Sequence, residues 1–361
     1  MTPVIPAPVP VPLPAPVWLL QLLLVFTFIL HLLPMNFLVG GGVILTVSCF
    51  LGRRDPHHRD FSQRACRTLP AVVAFTITLG VAPLLFLQLL YGQLFYTSSV
   101  LMAWYWLAVV FLIMLGYYGV YWFTLQQEEL GQRASWVLLV TASIFILVAF
   151  FFSRNMSFML HPQDFYSQFF QGEVGTILGP VTSTGVARLM HFLVGSLAVG
   201  GLGAALLSHA WRREAPELAA WTRRYGIRWF TVGTGIQMLV GLWFLFSLPQ
   251  EIRGMFLGGD RLSSAILAVA IALAVLALAA APKSLAASSV AILGALSLMA
   301  VIRHLLRVAY LRPYFDPRSV PVQSQWLVFA LFVILLLGGL STVGWMLYQF
   351  FRPAASRAPS V

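Results

Sequence analysis

Four residues able to ligate a metal through a single atom lie in or at the ends of apolar stretches: His31, Met102, His191 and His304. His31 is the deepest, set within WLLQLLLVFTFILHLLPMNFLVGGGVILTVSCF, positions 18–50. A histidine at membrane depth is costly without a partner, so it marks a functional position. An axial bond to haem iron would satisfy it, and so would a place in a proton relay. Gly40, Gly41 and Gly42 follow about two turns later, and Gly195, Gly200, Gly201 and Gly203 follow His191. Such glycines admit a flat macrocycle to the backbone, or another helix. Arg188, Arg303 and Arg307 stand close in sequence to His191 and His304. Their guanidinium forks suit haem propionates. Met102 reads either as packing, the ordinary role of a methionine, or as an iron ligand. His304 fits an axial ligand and equally a polar side chain near a span end.

The elements that must position these residues are helices in a membrane. The 361 residues are 60% hydrophobic and 9% charged, far below the ~25% charged residues of soluble domains. The alternating pattern of a barrel is absent, so the class is all-α. A spanning helix needs ~20 apolar residues, and about nine stretches qualify: 17–51, 69–91, 97–125, 134–153, 185–211, 224–247, 262–281, 284–308 and 324–351. The expected organisation is a proline-rich outer arm over 1–16, a single transmembrane bundle over 17–351, and a cytoplasmic tail over 352–361.

The net charge of +11 belongs to topology and excludes nucleic acid as the partner. Arg53, Arg54, Arg59, Arg64 and Arg67 separate the first two spans, and Arg212, Arg213, Arg223, Arg224 and Arg228 lie around the fifth-to-sixth connection. With nine spans Lys283, Arg352 and Arg357 join them on one side. The positive-inside rule then sets the N-terminus outside and the C-terminus inside, in contact with membrane lipid. The same threading brings His31, Met102, His191, His304 and the three arginines into the outer half.

Other polar residues read more plainly. His57 and His58 sit in a basic loop and His209 at an inner span end, all expected at the surface or interface. Tyr91, Phe95, Tyr96, Trp104, Tyr105 and Trp106 suggest an interfacial aromatic belt. The outer segment 153–184 serves either as a partner-docking or cofactor-covering surface or as a connection. Cys49 and Cys66 belong to no C-x-x-C-H sequence, so this chain attaches no c-type haem through thioether bonds.

Three stretches resemble subunit I of the cytochrome bd quinol oxidases. FTFILHLLPMNFLVGG resembles that subunit's first helix, where an axial histidine precedes a glycine, and His31 holds the matching position. LGPVTSTGVARLMHFLVGSLAVGG resembles its fifth helix, with His191 at the position of the low-spin haem ligand. LMAVIRHLLRVAYLRPYF resembles its eighth-span region. The departures are as informative. The family's two third-span glutamates fall on Met102 and near Val110, and its eighth-span glutamate near Ile302, beside His304. The seventh span carries no methionine, and the long quinol loop shrinks to SLPQEIRGMFLGGD.

The resemblance implies a membrane subunit with one or two b haems in a bacterial inner membrane. Lacking the glutamates, and with Met102 or His304 available as replacement ligands, it is expected to transfer electrons rather than to split oxygen. Its expected substrates are quinol and quinone, with an outer-face cytochrome c as partner. Arg154, His161, Asp164, Glu173, Gln250 and Glu251 are candidates for holding the quinol. A bd-type quinol:oxygen terminal oxidase is the first alternative, and a haem-free transporter or assembly subunit the second.

Overall fold

The computed structural model describes residues 6–8 and 11–351, and the described residues form an almost wholly helical chain. In order the helices are α1 (Val17–Asn36), α2 (Gly42–Leu51), α3 (Pro56–Ala65), α4 (Leu69–Leu101), α5 (Ala103–Leu130), α6 (Ala134–Phe158), α7 (Phe165–Gln171), α8 (Ser183–Leu207), α9 (Pro216–Ser247), α10 (Gln250–Gly254), α11 (Arg261–Ala280), α12 (Leu285–Leu311) and α13 (Trp326–Phe351). Side chains fix several of the starts. Thr182, Asp260 and Ser284 accept from backbone N–H groups three residues on, at the heads of α8, α11 and α12.

Eight continuous helical segments are long and apolar enough to cross a membrane, and one of them runs for 56 residues, Ala103–Phe158. A straight helix of that length would measure about 84 Å, against a hydrocarbon core of about 30 Å. Gly131, at φ 51°, turns the chain there, and α6 packs back along α5. Nine spans result among the described residues, and the chain is a multi-pass membrane protein.

α1, α4, α5 and α6 pack as one group, and α8, α9, α11 and α12 as a second. α13 stands outside both with most of its side chains exposed, touching α4 through Phe332 on Phe86. The two groups meet where α1 passes into α2. Pro34 removes one backbone donor from α1, and the chain widens into a π-helical turn over Phe37–Gly41 before α2 resumes. α8 crosses there: a Cβ on Gly40 would overlap the Ser196 carbonyl, and one on Gly200 would lie 2.6 Å from Gly41 N. Gly201 likewise lies against α9 and Gly203 against Phe37. These glycines therefore admit neighbouring helices rather than a macrocycle.

Contacts define two ends of the molecule. At one, Arg53 donates to the Gln132 carbonyl, Arg223 to the Pro282 carbonyl, and His57 stacks on Trp221. Most of the basic residues gather here. His57 and His209 are exposed as expected, but His58 is half-buried against Trp221 and Tyr225, with Nδ1 3.3 Å from the Ser48 hydroxyl. At the other end the proline-rich segment is pinned down rather than projecting. Leu13 N–H donates to the Pro321 carbonyl at 2.8 Å, and Gln323 and Gln325 donate back to Leu13 and Pro14. Of the expected 1–16 arm this holds for 11–16; residues 1–5, 9, 10 and the 352–361 tail lie outside the described residues.

The connection between the second and third spans also differs from expectation. α4 does not turn at Gly92 but continues to Leu101, with only a local break at Tyr91 (φ −135°, ψ 32°). Hydroxyls of Thr97 and Ser99 return to carbonyls four residues back, which gives these polar side chains partners inside the helix. The reversal falls on Met102 itself. Tyr91 and Phe95 are buried in the bundle, not part of a belt, whereas Tyr96 and Trp104 are exposed.

Candidate functional site

His31 faces α4. Its ring edge rests on Gly80, where a Cβ would come within 2.9 Å of Cε1, and its Nδ1 lies 2.9 Å from the Thr76 carbonyl oxygen. A carbonyl can only accept, so Nδ1 carries the proton and Nε2 holds the lone pair. Nε2 meets no protein partner and, unlike His304 Nδ1, is not sealed by packing. An imidazole anchored in this way presents Nε2 as a metal ligand.

His191 faces α9 in a corresponding notch. Its ring lies on Gly241, a Cβ there being 3.3 Å from Cε1, and its Nδ1 is 3.0 Å from the Gln237 side-chain amide. Phe244 flanks the ring at 5.7 Å. The helical spacing of Arg188 and His191 puts both on one side of α8. Arg188 reaches over Phe244 at 5.7 Å and donates to the Ser157 hydroxyl at 3.0 Å.

α12 supplies the rest. The Arg303 guanidinium sits 4.3 Å over the Phe28 ring, one turn from His31, and its charge is felt at His31. Arg307 lies 5.9 Å over the Tyr91 ring. The charges of Arg188, Arg303 and Arg307 act on one another inside the bundle. His304 is adjacent to Arg303, half-buried, with Nδ1 sealed and without a partner. Six of the seven sequence candidates are thus assembled around one interior region.

Met102 is the seventh. It is fully buried at the α4–α5 reversal, and Tyr105, Trp106, Phe151 and Phe152 line the small space beside it. Sulfur among aromatic rings is the packing role already open to it.

The charge balance of this region is one-sided. No carboxylate lies within ion-pair distance of Arg188, Arg303 or Arg307 among the described residues. Ten of the eleven Asp and Glu residues fall in connections or end turns of helices, and the other, Asp60, lies in the short α3 at the basic end. An interior cation without a counter-ion costs several kcal/mol, and Arg307, buried, with Arg188 and Arg303, half-buried, would offer an anion a site here. No group of three or more His, Cys, Asp or Glu could chelate a metal among the described residues. Single nitrogen ligands beside guanidiniums fit a metal that brings its own equatorial ligands and carboxylates, which describes haem.

The quinol candidates divide. Arg154 is committed to the Leu178, Gly179 and Pro180 carbonyls, holding the 178–180 connection onto α6. His161 donates from Nδ1 to the Ser157 carbonyl at 2.9 Å, with its ring 5.9 Å from that of Tyr310. Arg188 donates to the hydroxyl of that same Ser157, so His161 borders the arginine cluster. Glu173, Gln250 and Glu251 are exposed and Asp164 half-exposed. Thr76, Gly80, Gln237, Gly241, Phe28 and Phe244 were not legible as site residues. Gln237 alone gave a signal, as a polar residue within a span.

Neither a family model nor a curated protein matches this sequence. Among solved structures, the chain superposes on a chain of the bd oxidase from Geobacillus thermodenitrificans with a TM-score of 0.72 at 16% identity. The match covers 97% of this chain and all of the other. This is a bd oxidase fold. The likeness read from three stretches of sequence therefore extends over nearly the whole chain.

Proposed function

We propose that the protein is a haem b-containing electron-transfer subunit of a bacterial inner membrane. It passes electrons between membrane quinol or quinone and a cytochrome c at the outer face. The observation that carries this reading is the joint presence of two histidines in glycine notches and three interior guanidiniums without carboxylates. His31 and His191 would ligate the iron of one or two haems, with His304 in reserve; Met102, packed among aromatic rings outside this region, is set aside. Arg188, Arg303 and Arg307 hold the propionates. Bound haem would supply one-electron transfer, and histidine ligation from this chain would leave it closed to oxygen.

The chain's own residues do the rest. The Thr76 carbonyl holds the His31 proton at Nδ1 and keeps Nε2 directed away from it. The guanidiniums neutralise the carboxylates and make reduction more favourable by keeping positive charge nearby. His161, whose Nε2 is the lone-pair nitrogen, is placed to accept a quinol proton at the arm end. The basic end is then the cytoplasmic one, with the N-terminus outside and the C-terminus inside. Having no C-x-x-C-H sequence, the chain depends on a separate protein for any c-type haem.

The bd oxidase fold favours a second reading, a quinol:oxygen oxidase. A reduced-minus-oxidised spectrum of the purified chain, repeated under carbon monoxide, separates the two. A b-type band indifferent to carbon monoxide, lost in part in His31→Ala and in His191→Ala, is the expected result. A band that shifts with carbon monoxide favours the oxidase, and a chain without haem overturns both readings.

A further inference from the structure

The two notches are built alike. His31 rests on Gly80 and is anchored at Thr76, four residues earlier on α4; His191 rests on Gly241 and is anchored at Gln237, four residues earlier on α9. They differ in the anchoring atom. The Thr76 carbonyl can only accept, which fixes the His31 proton at Nδ1. At His191 the anchor is a side-chain amide whose two ends have nearly the same shape.

With the amide nitrogen toward Nδ1 at 3.0 Å, Nδ1 must accept and the proton moves to Nε2, where it blocks coordination. Gln237 Oε1 is then buried without a partner. Turning the amide over places the oxygen against Nδ1. The ring proton returns to Nδ1, and Nε2 is freed as the lone-pair nitrogen. Gln237 is packed between α8 and α9, its amide 3.2 Å from where a Cβ on Gly195 would sit. Gly195 is therefore what leaves the side chain room to reach the ring.

We propose that Gln237 is the positioning residue of His191: its amide oxygen holds the imidazole proton at Nδ1 and selects the tautomer whose Nε2 binds the cofactor iron. The inference rests on the haem reading above and adds to it a residue that touches neither iron nor propionate. It also makes the His191 site adjustable by mutation, whereas the backbone anchor at His31 is not. A stronger acceptor at 237 pushes the ring toward imidazolate character and favours ferric iron. Loss of the acceptor releases both the tautomer and the ring orientation.

The test uses the full chain carrying His31→Ala, so that the remaining b-type signal reports on His191, and follows its midpoint potential by redox titration. Gln237→Glu is expected to keep the band and lower its potential. Gln237→Leu is expected to weaken haem retention about 10–100-fold, as loss of such outer partners does. A carboxylate at 237 would lower the potential by its charge alone, so the proton position on His191 is the readout that a purely structural role would not move. An unchanged potential in Gln237→Glu, or full haem retention at unchanged potential in Gln237→Leu, overturns the inference while leaving the haem reading intact. If Gln237→Leu fails to accumulate, the nitrogen-15 histidine spectra decide. A chain that holds no haem with Gln237 in place overturns the haem reading first. Nitrogen-15 histidine spectra of the haem-free chain give an independent check: a proton on Nε2 rather than Nδ1 of His191 counts against the inference.

Discussion

The two ends of this bundle use the same side chains to opposite purposes. At the basic end Arg53, Arg54, Arg59, Arg212, Arg213, Arg224 and Arg228 are exposed, and the histidines and tryptophans there pack on one another. Ser48 donates to the Tyr225 hydroxyl at 2.9 Å, His58 and Trp221 close over it, and the α3 segment is fastened to α9. In the arm half Arg188, Arg303 and Arg307 lie inside, over single aromatic rings, beside histidines that keep a nitrogen open. An exposed arginine has water as its partner and reports topology. An interior arginine without a carboxylate is where the proposed anion site would lie.

Replacing one arginine from each end tests that contrast most directly. Arg303→Leu should cost about 2–5 kcal/mol of haem retention, the usual loss when one member of a buried charge pair is removed. Arg224→Leu should stay within about 0.5 kcal/mol. Both are read by haem content after dialysis against apomyoglobin. If Arg303→Leu instead raises thermal stability with haem content unchanged, the cluster is a tolerated burden rather than an anion site.

Gly80→Ala sharpens the comparison at a single atom. The new Cβ would lie 2.9 Å from His31 Cε1, and overpacking of this kind costs about 1–3 kcal/mol. The His31-dependent part of the spectrum should fall while the His191-dependent part remains. Equal loss of both would mean that α4 as a whole has moved.

At the basic end, Tyr225→Phe removes the acceptor of the Ser48 bond and should cost about 0.5–1.5 kcal/mol of stability. Its haem spectrum should be unchanged; altered spectra would join the two ends functionally. The smallest effect belongs to Asp316, before the segment on which the proline-rich arm is docked. Hydrogen bonds from Arg318 hold its carboxyl below the usual carboxylate range. The folded group is the stronger acid, so its contribution is present above the unfolded carboxyl's pKa and fades as pH falls through the folded value. Both side chains are partly exposed, which keeps the effect small. Proteolysis of the arm should rise slightly at acid pH, and Asp316→Asn should remove that dependence.

Much of this was legible beforehand because the bilayer imposes strict rules. Apolar runs gave nine spans, since only helices satisfy their own backbone in lipid. Basic loops gave a common end, and the depth of His31 in its span marked it as needing a partner. Glycines were harder to read: Gly40 and Gly200 announce a close approach but not what approaches, and here it is a helix. Met102 moved from the body of a span to the reversal itself because α4 continues past Gly92 to Leu101, its Thr and Ser hydroxyls finding partners on their own helix.

The sequence by itself thus determined the class, the number of spans, the gathering of positive charge and the presence of histidines within spans. Tertiary structure decided which nitrogen His31 presents and which side chain meets His191, because the Thr76 carbonyl and the Gln237 amide lie 45 and 46 residues away along the chain. It also brought Arg188 from α8 into one interior region with Arg303 and Arg307. The helix surface that a residue faces depends on its neighbours across the bundle, and no periodicity within one span encodes that.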